Sequence, residues 1–228
     1  MDKRFMTVLA VIVIIFAGIF VFTKKSNDNG GSGGSNAQAS HHVRGEGAKK
    51  VTLLEYGDYQ CSVCLSYYPT VEKVIAKYNA DIIYQFKNLP LSPTPHKNAF
   101  AAARAAEAAA LQGEDKYWLM YHQLYDNQDP RGLSGWVVSN DPLNQYFIDF
   151  ANKIGLSEAQ FKTDYASGKV NDTINADLSD FGKTGQSKGT PSFFINGTYI
   201  PNTELSDDNG PSLEKFSKAI DAAIAKQQ

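Results

Sequence analysis

The chain has 228 residues with 22 basic and 24 acidic side chains, a net charge of −2 that argues against an extended basic surface for nucleic acid. Its residues are 43% hydrophobic and 12% aromatic, enough for one packed core and too apolar for a disordered chain. With only two cysteines, it is not a disulfide-stapled scaffold.

After Met1-Asp2-Lys3-Arg4 comes an uncharged apolar run, Phe5 to Phe22, followed by Lys24-Lys25. As a helix the run would be roughly 27 Å long, close to the hydrocarbon thickness of a bilayer. A cleaved leader has a shorter apolar core with a small-residue cleavage site close behind it. The only such site, Ala37-Gln38-Ala39, lies too far downstream, so residues 1–23 read as an uncleaved anchor rather than a signal peptide. Lysines and arginines are balanced on either side, so charge alone does not orient it; the short tail argues for the N-terminus inside and the bulk outside. Residues 24–48 are polar and rich in Gly, Ser and Asn, including Gly30-Gly31-Ser32-Gly33-Gly34-Ser35. Such a segment buries too little apolar surface to offset its ordering entropy and reads as a flexible tether. A folded domain is expected over 49–228.

Val51-Thr52-Leu53-Leu54-Glu55-Tyr56 is a strand-forming run bounded by Gly57-Asp58. Apolar residues at Tyr68, Val71, Val74, Ile75 and Tyr78 follow a helical period, and Asp81 to Phe86 reads as a second strand stopped at Asn88-Leu89-Pro90. Together these make a βαβ unit. Helices are then expected over the alanine-rich 99–112 and the aromatic 115–128, after Pro142 as a first helical residue, after the capping box Ser157-x-x-Gln160, and over 170–181. Ser192 to Ile195, Asn196-Gly197 and Thr198 to Ile200 predict a hairpin. A closing helix carries Leu213, Phe216, Ile220 and Ile224 on one stripe. The fold class is α/β, a thioredoxin-like sheet interrupted by an all-helical insertion over about 96–185, preceded by the single transmembrane helix and linker.

Cys61-Ser62-Val63-Cys64 stands at the first strand-to-helix turn. A bridge across so short a loop removes little chain entropy, which suits exchange rather than stapling. At the head of a helix, unpaired N–H groups and the dipole favour an anion, which would lower a thiol pKa into the range of about 3.5–7.5. Cys61 is therefore the expected nucleophile and Cys64, one turn further in, the resolving thiol. A zinc site needs about four ligands, and only His41 and His42 are near in sequence, in the polar segment. No metal is expected.

The strings LEYGDYQCSVC, KYWLMYHQLYDNQ and GTPSFFING resemble the signature stretches of the DsbA-type thiol:disulfide oxidoreductases, over essentially residues 49–228. The resemblance implies an enzyme of the oxidising side of a bacterial-type plasma membrane, with thiol-bearing exported proteins as substrates. It also implies a quinone-linked membrane partner (DsbB- or VKOR-like) that reoxidises the pair, and no organic cofactor. It further implies a cis Thr190-Pro191 bond beside the cysteines, with the Thr190 backbone pairing an extended substrate peptide. The bland alternative is a proline that merely starts an edge strand. Glu55, an acid inside an apolar strand, matches the family's proton-transferring acid beneath the site; the alternative is the exposed face of an edge strand. His96 and His122 read as structural, Tyr117, Trp118 and Tyr121 as mostly core, and Asn196-Gly197-Thr198 as turn chemistry rather than a glycosylation site.

One departure matters. DsbA itself has Pro-His between its cysteines, and that histidine helps stabilise the thiolate, whereas Ser62-Val63 carries no charge. Disulfide donation is the expected direction, with reductase or isomerase activity of the same fold, or a non-enzymatic peptide-binding module, as the alternatives.

Overall fold

Five strands, β1 (His42–Arg44), β2 (Val51–Gly57), β3 (Ile82–Asn88), β4 (Ser192–Ile195) and β5 (Thr198–Ile200), form one sheet in the order β1-β3-β2-β4-β5. The computed structural model from which this is read describes residues 37–141 and 143–227. The expected anchor over Phe5–Phe22 lies outside them, and no helix among the described residues is long and apolar enough to cross a membrane.

β2 is the middle strand, parallel to β3 and antiparallel to β4. The parallel pair is joined by α1 (Ser62–Tyr78), which begins five residues earlier than the apolar period from Tyr67 suggests. Both cysteines therefore sit at its head. Its buried face, including Cys64, Tyr67, Val71, Val74 and Ile75, lies against the sheet and the closing helix, with the Tyr67 ring 5.4 Å from Phe193 and 6.2 Å from Phe216. The β4–β5 hairpin turns at Asn196 (φ 49°) and Gly197 (φ 79°), the two left-handed residues that a tight hairpin of matching twist requires. Asn196 also ties the turn to β2, its Oδ1 accepting from the Thr52 N–H at 2.8 Å.

Between β3 and β4 the chain is helical: α2 (Ala99–Ala110), α3 (Glu114–Asp126), a 3-10 turn (Gly135–Val138), α4 (Gln145–Lys153), α5 (Glu158–Ala166) and α6 (Gly168–Lys183). Small side chains explain why α2 is buried on most of its faces, because alanines let neighbouring helices approach from several sides. α4 starts at Gln145, later than expected from Pro142, which lies outside the described residues; Asn144 caps it, its Oδ1 accepting from the Tyr146 N–H. At α5 only half of the expected capping box forms. Ser157 Oγ accepts from the Gln160 N–H, while the Gln160 amide turns to Asp164. After β5 come a short helix α7 (Asn202–Leu205), a ribbon of β6 (Ser206–Asp207) and β7 (Gly210–Pro211), and α8 (Leu213–Ala225). The ribbon has no counterpart in the sequence reading.

The boundary of the tether at residue 48 is corrected by β1, which pairs antiparallel with β3 and places Ser40 and His42 in the interior. Ser40 donates through its N–H and hydroxyl to the two carboxyl oxygens of Asp177 on α6, at 2.8 and 2.7 Å. His42 is not a solvated tether residue. Its ring stacks on Tyr117 at 3.4 Å and bridges Glu114 (Nδ1, 2.9 Å) and Glu107 (Nε2, 3.2 Å). Burial by itself would lower the imidazole pKa, but the two carboxylates outweigh it and raise it to about 9. The reason for the difference is physical: these polar side chains meet their partners only when α2, α3 and α6 close over the sheet.

A raised folded-state pKa means that this charge stabilises the fold fully below the unfolded value of 6.5, and that the contribution fades as pH rises towards 9. His42→Ala is expected to cost about 3–5 kcal/mol near neutrality, because it leaves Glu107 buried without its cation. Urea unfolding against pH checks this. The wild type should lose stability between those two values, and the variant should lack that loss.

Candidate functional site

The Cys61 backbone (φ −71°, ψ 121°) is that of a helix N-cap. Its side chain replaces the usual capping oxygen with sulfur. Both thiols are free and buried, Cys61 6% and Cys64 1% exposed. The Cys61 pKa is lowered from 9.0 to about 6, first by the Cys64 thiol acting as donor and against the cost of burial. The Thr190 hydroxyl and the N–H groups of Cys64 and Val63 lower it further. None of those N–H groups closes a cap hydrogen bond to the side chain in the thiol form. Cys64 goes the other way: burial, then the Cys61 sulfur and the charge of Glu55, push its thiol well above the ordinary value. One sulfur is poised as an anion and the other is kept protonated, the division of labour that attack and resolution require.

Thr190-Pro191 is cis and leads straight into β4. The Cys61 thiol donates to the Thr190 carbonyl oxygen at 3.5 Å, and the Thr190 hydroxyl is buried without a hydrogen-bond partner. Asn202 donates to the Pro191 carbonyl at 3.0 Å, fixing the loop from the far side.

Glu55 lies in the middle strand, 2% exposed, so the edge-strand alternative is excluded by the strand order. Its Oε2 accepts from the Tyr84 hydroxyl at 2.8 Å. Burial raises its pKa from 4.5 to about 8 against that hydrogen bond, with Glu72 and Cys61 adding to the rise. Gly57 makes the close cover possible, since a Cβ there would lie 2.4 Å from the Phe86 ring and 3.3 Å from Glu55 Oε1. Tyr59, Tyr84, Tyr121 and Tyr125 complete a nearly solvent-free aromatic layer, which confirms the core reading of Tyr121; Tyr117 is buried beside them. His122 bonds to the Tyr68 hydroxyl at 2.9 Å, a structural contact.

His96, read as structural, packs against the cysteine turn through Asp58. Asp58, 1% exposed, accepts from the N–H groups of Gln60 (2.7 Å) and Leu91 (3.1 Å), and from His96 Nδ1 at 2.7 Å. The Asp58 carbonyl in turn accepts the Cys61 N–H at 3.1 Å. The ring follows a second cis bond, Thr94-Pro95, and lines a cleft of about 210 Å³ with Ser62, Gln60, Gln128 and Arg131. Thirty-five positions of sequence separate it from Cys61, and only Asp58, the acidic residue just after β2, hints at the link. Among the described residues no group of three or more His, Cys, Asp or Glu is arranged to hold a metal ion.

A redox-poised Cys-x-x-Cys pair at the head of the helix that follows the middle strand, beside a cis Thr-Pro loop, on a sheet with a helical insertion, defines a DsbA-like thiol:disulfide oxidoreductase domain. The family model for thioredoxin matches residues 37–222, and the chain belongs to that family. Its start at 37 agrees with the early boundary of the folded unit. Over 223 residues the chain is 25% identical to the probable disulfide bond formation protein D of Bacillus anthracis, covering 96% of this chain and 93% of that protein. It is 35% identical over 158 residues to the Na(+)/H(+) antiporter NhaA 1 of Mycolicibacterium vanbaalenii, covering 68% of this chain. The chain spans only 23% of that relative's length. BdbD from Bacillus subtilis has the same fold, with a TM-score of 0.63 at 21% identity over 83% of this chain and 97% of that one. So does alpha-DsbA1 from Wolbachia pipientis, with a TM-score of 0.64 at 20% identity over 83% and 94%.

Proposed function

We propose that this protein donates disulfides to exported proteins from a Cys61–Cys64 bridge, on the outer side of a membrane to which residues 5–22 tether it. The observation that carries the reading is the opposite displacement of the two thiols, Cys61 down to about 6 and Cys64 well up. A substrate thiolate attacks Cys61 of the oxidised pair, forming a mixed disulfide, and Cys64 leaves as a thiolate that takes a proton, with Glu55 as the buried acid within reach of its charge. A second substrate thiolate attacks the substrate sulfur, and Cys61 leaves as the stabilised thiolate. The substrate dithiol is oxidised to a disulfide and the pair is reduced. Reoxidation falls to a quinone-linked membrane oxidoreductase of the DsbB or VKOR kind. Substrate peptide would lie extended along Thr190, whose backbone flanks the Cys61 sulfur.

Direction follows from how far the reduced form is stabilised. A thiol near 6 stands between those of thioredoxin, about 7, and DsbA, about 3.5. The potential is accordingly expected between about −270 and −120 mV. Equilibration with glutathione measures it. A value at or below that of thioredoxin would replace disulfide donation by reduction.

A further inference from the structure

The tetrapeptide has no charge of its own between the cysteines, yet a histidine is held on the same aspartate that accepts the Cys61 N–H. We propose that His96, clamped on the Asp58 carboxylate, supplies the positive charge facing the Cys61 thiolate that Ser62-Val63 lacks, and so sets how oxidising the pair is. This rests on the thiol:disulfide reading above.

The geometry is a shared anchor. Asp58 holds the His96 ring with its side chain at 2.7 Å and the Cys61 N–H with its backbone carbonyl at 3.1 Å. A carboxylate can only accept, so Nδ1 carries the hydrogen in this bond and Nε2 is left to take up or release a proton. The ring opens into the cleft that Ser62 also lines, beside the helix head where a thiolate forms. His96 is thus fixed from one side by a buried group and faces the reactive turn from the other.

The charges around it allow this role. Asp58 raises the basicity of the imidazole against the effect of burial, and a thiolate at Cys61 raises it further. Linkage is reciprocal: if the thiolate favours the imidazolium, the imidazolium favours the thiolate by the same free energy. The larger influences on Cys61 are Cys64, Thr190 and the helix N–H groups, none of them a charge, so an imidazolium at His96 would add to them rather than replace them. Arg131 and Asp129 also line the cleft, but they pair with each other at 3.5 Å. Lys97, next in sequence, is turned away to the Val138 carbonyl and Asn140. Glu55, in β2, is coupled to Cys61 through charge alone. Of the cationic side chains around this cleft, His96 is the one tied to the cysteine turn itself. It acts on the sulfur through its charge and is a positioning residue, not an attacking one.

The test uses the full chain with His96→Gln and His96→Asn, both of which keep a donor for Asp58. Thiolate ultraviolet absorbance against pH reads the Cys61 pKa, and glutathione equilibration reads the redox constant. Removing the charge should move the Cys61 pKa up from about 6, by about half a unit to one unit. The redox constant should shift about three- to tenfold in favour of the disulfide, about 15–30 mV more reducing. The gap in the redox constant should shrink as alkaline pH deprotonates the wild-type imidazole, whose basicity Asp58 raises above the ordinary histidine value. An unchanged Cys61 pKa in both folded variants overturns the proposal. So does a gap that persists undiminished at alkaline pH, which would mark a purely structural role. Either failure leaves disulfide donation standing if the wild-type potential remains oxidising, whereas a reducing wild-type potential would sink that function and leave the His96 effect still measurable.

Discussion

Replacing Cys61 with serine is expected to abolish disulfide transfer completely, leaving only uncatalysed exchange. No other sulfur can substitute: the chain has two cysteines, and Cys64 is 1% exposed with its thiol held well above the ordinary range. A neutral thiol is not the attacking species. Cys64→Ser should give the opposite phenotype, an accumulation of mixed disulfides at Cys61. The serine hydroxyl retains the donor that is the largest influence lowering the Cys61 pKa, so Cys61 keeps its character while the resolving sulfur is gone. Alanine would remove both and blur the result. Non-reducing gels of cells carrying Cys64→Ser should show adducts that dissolve on reduction, and their partners should be exported proteins. Membrane-impermeant thiol reagents should reach Cys61 in intact cells. Adducts only with cytoplasmic proteins, or labelling only after lysis, would overturn the proposed placement.

The reaction centre divides into a part that is local in sequence and a part that is not. Cys61 and Cys64 reveal themselves because four residues at one strand-to-helix turn are enough to set a helix N-cap and its first turn. Asn196-Gly197 announces its hairpin for the same reason: the turn needs two left-handed residues in a row, and those two adopt that conformation easily. Glu55 was visible as an acid in an apolar run. Its burial was not, because that depends on β2 being central, which only the pairing with both β3 and β4 decides. His42 and His96 are the clearest cases of invisible function. Each takes its meaning from carboxylates distant in the chain, Glu107 and Glu114 for His42, Asp58 for His96. A lone polar residue in a polar stretch carries no periodicity, so the segment around β1 reads as tether until the helical block closes on it.

Glu55→Gln is expected to make the protein more stable and a poorer catalyst at once. Burial holds the Glu55 carboxyl protonated up to about 8, whereas in the unfolded chain it ionises near 4.5. The folded state therefore binds the extra proton across that window, and folding stability falls as pH rises from 4.5 towards 8. Each unit of the window is about 1.4 kcal/mol, so the penalty near neutrality is a few kcal/mol. Glutamine removes the slope, and its carbonyl can still accept from Tyr84. A buried amide N–H₂ without a partner costs about 1–3 kcal/mol, which leaves a smaller net gain that grows with pH. Chemistry should pay in the other direction, because Cys64 is a thiol of high pKa that must gain or lose its proton at every turnover. A carboxyl poised near 8 and coupled to both sulfurs can serve as that acid and base near neutrality, and glutamine cannot. The rate of dithiol oxidation should fall about 10- to 100-fold, with the shoulder near 8 lost from its pH profile, while the Cys61 pKa moves little. Urea titrations across that window and stopped-flow oxidation of a model dithiol peptide separate the two effects. Higher stability with an unchanged rate would assign Glu55 an energetic cost but no part in proton transfer.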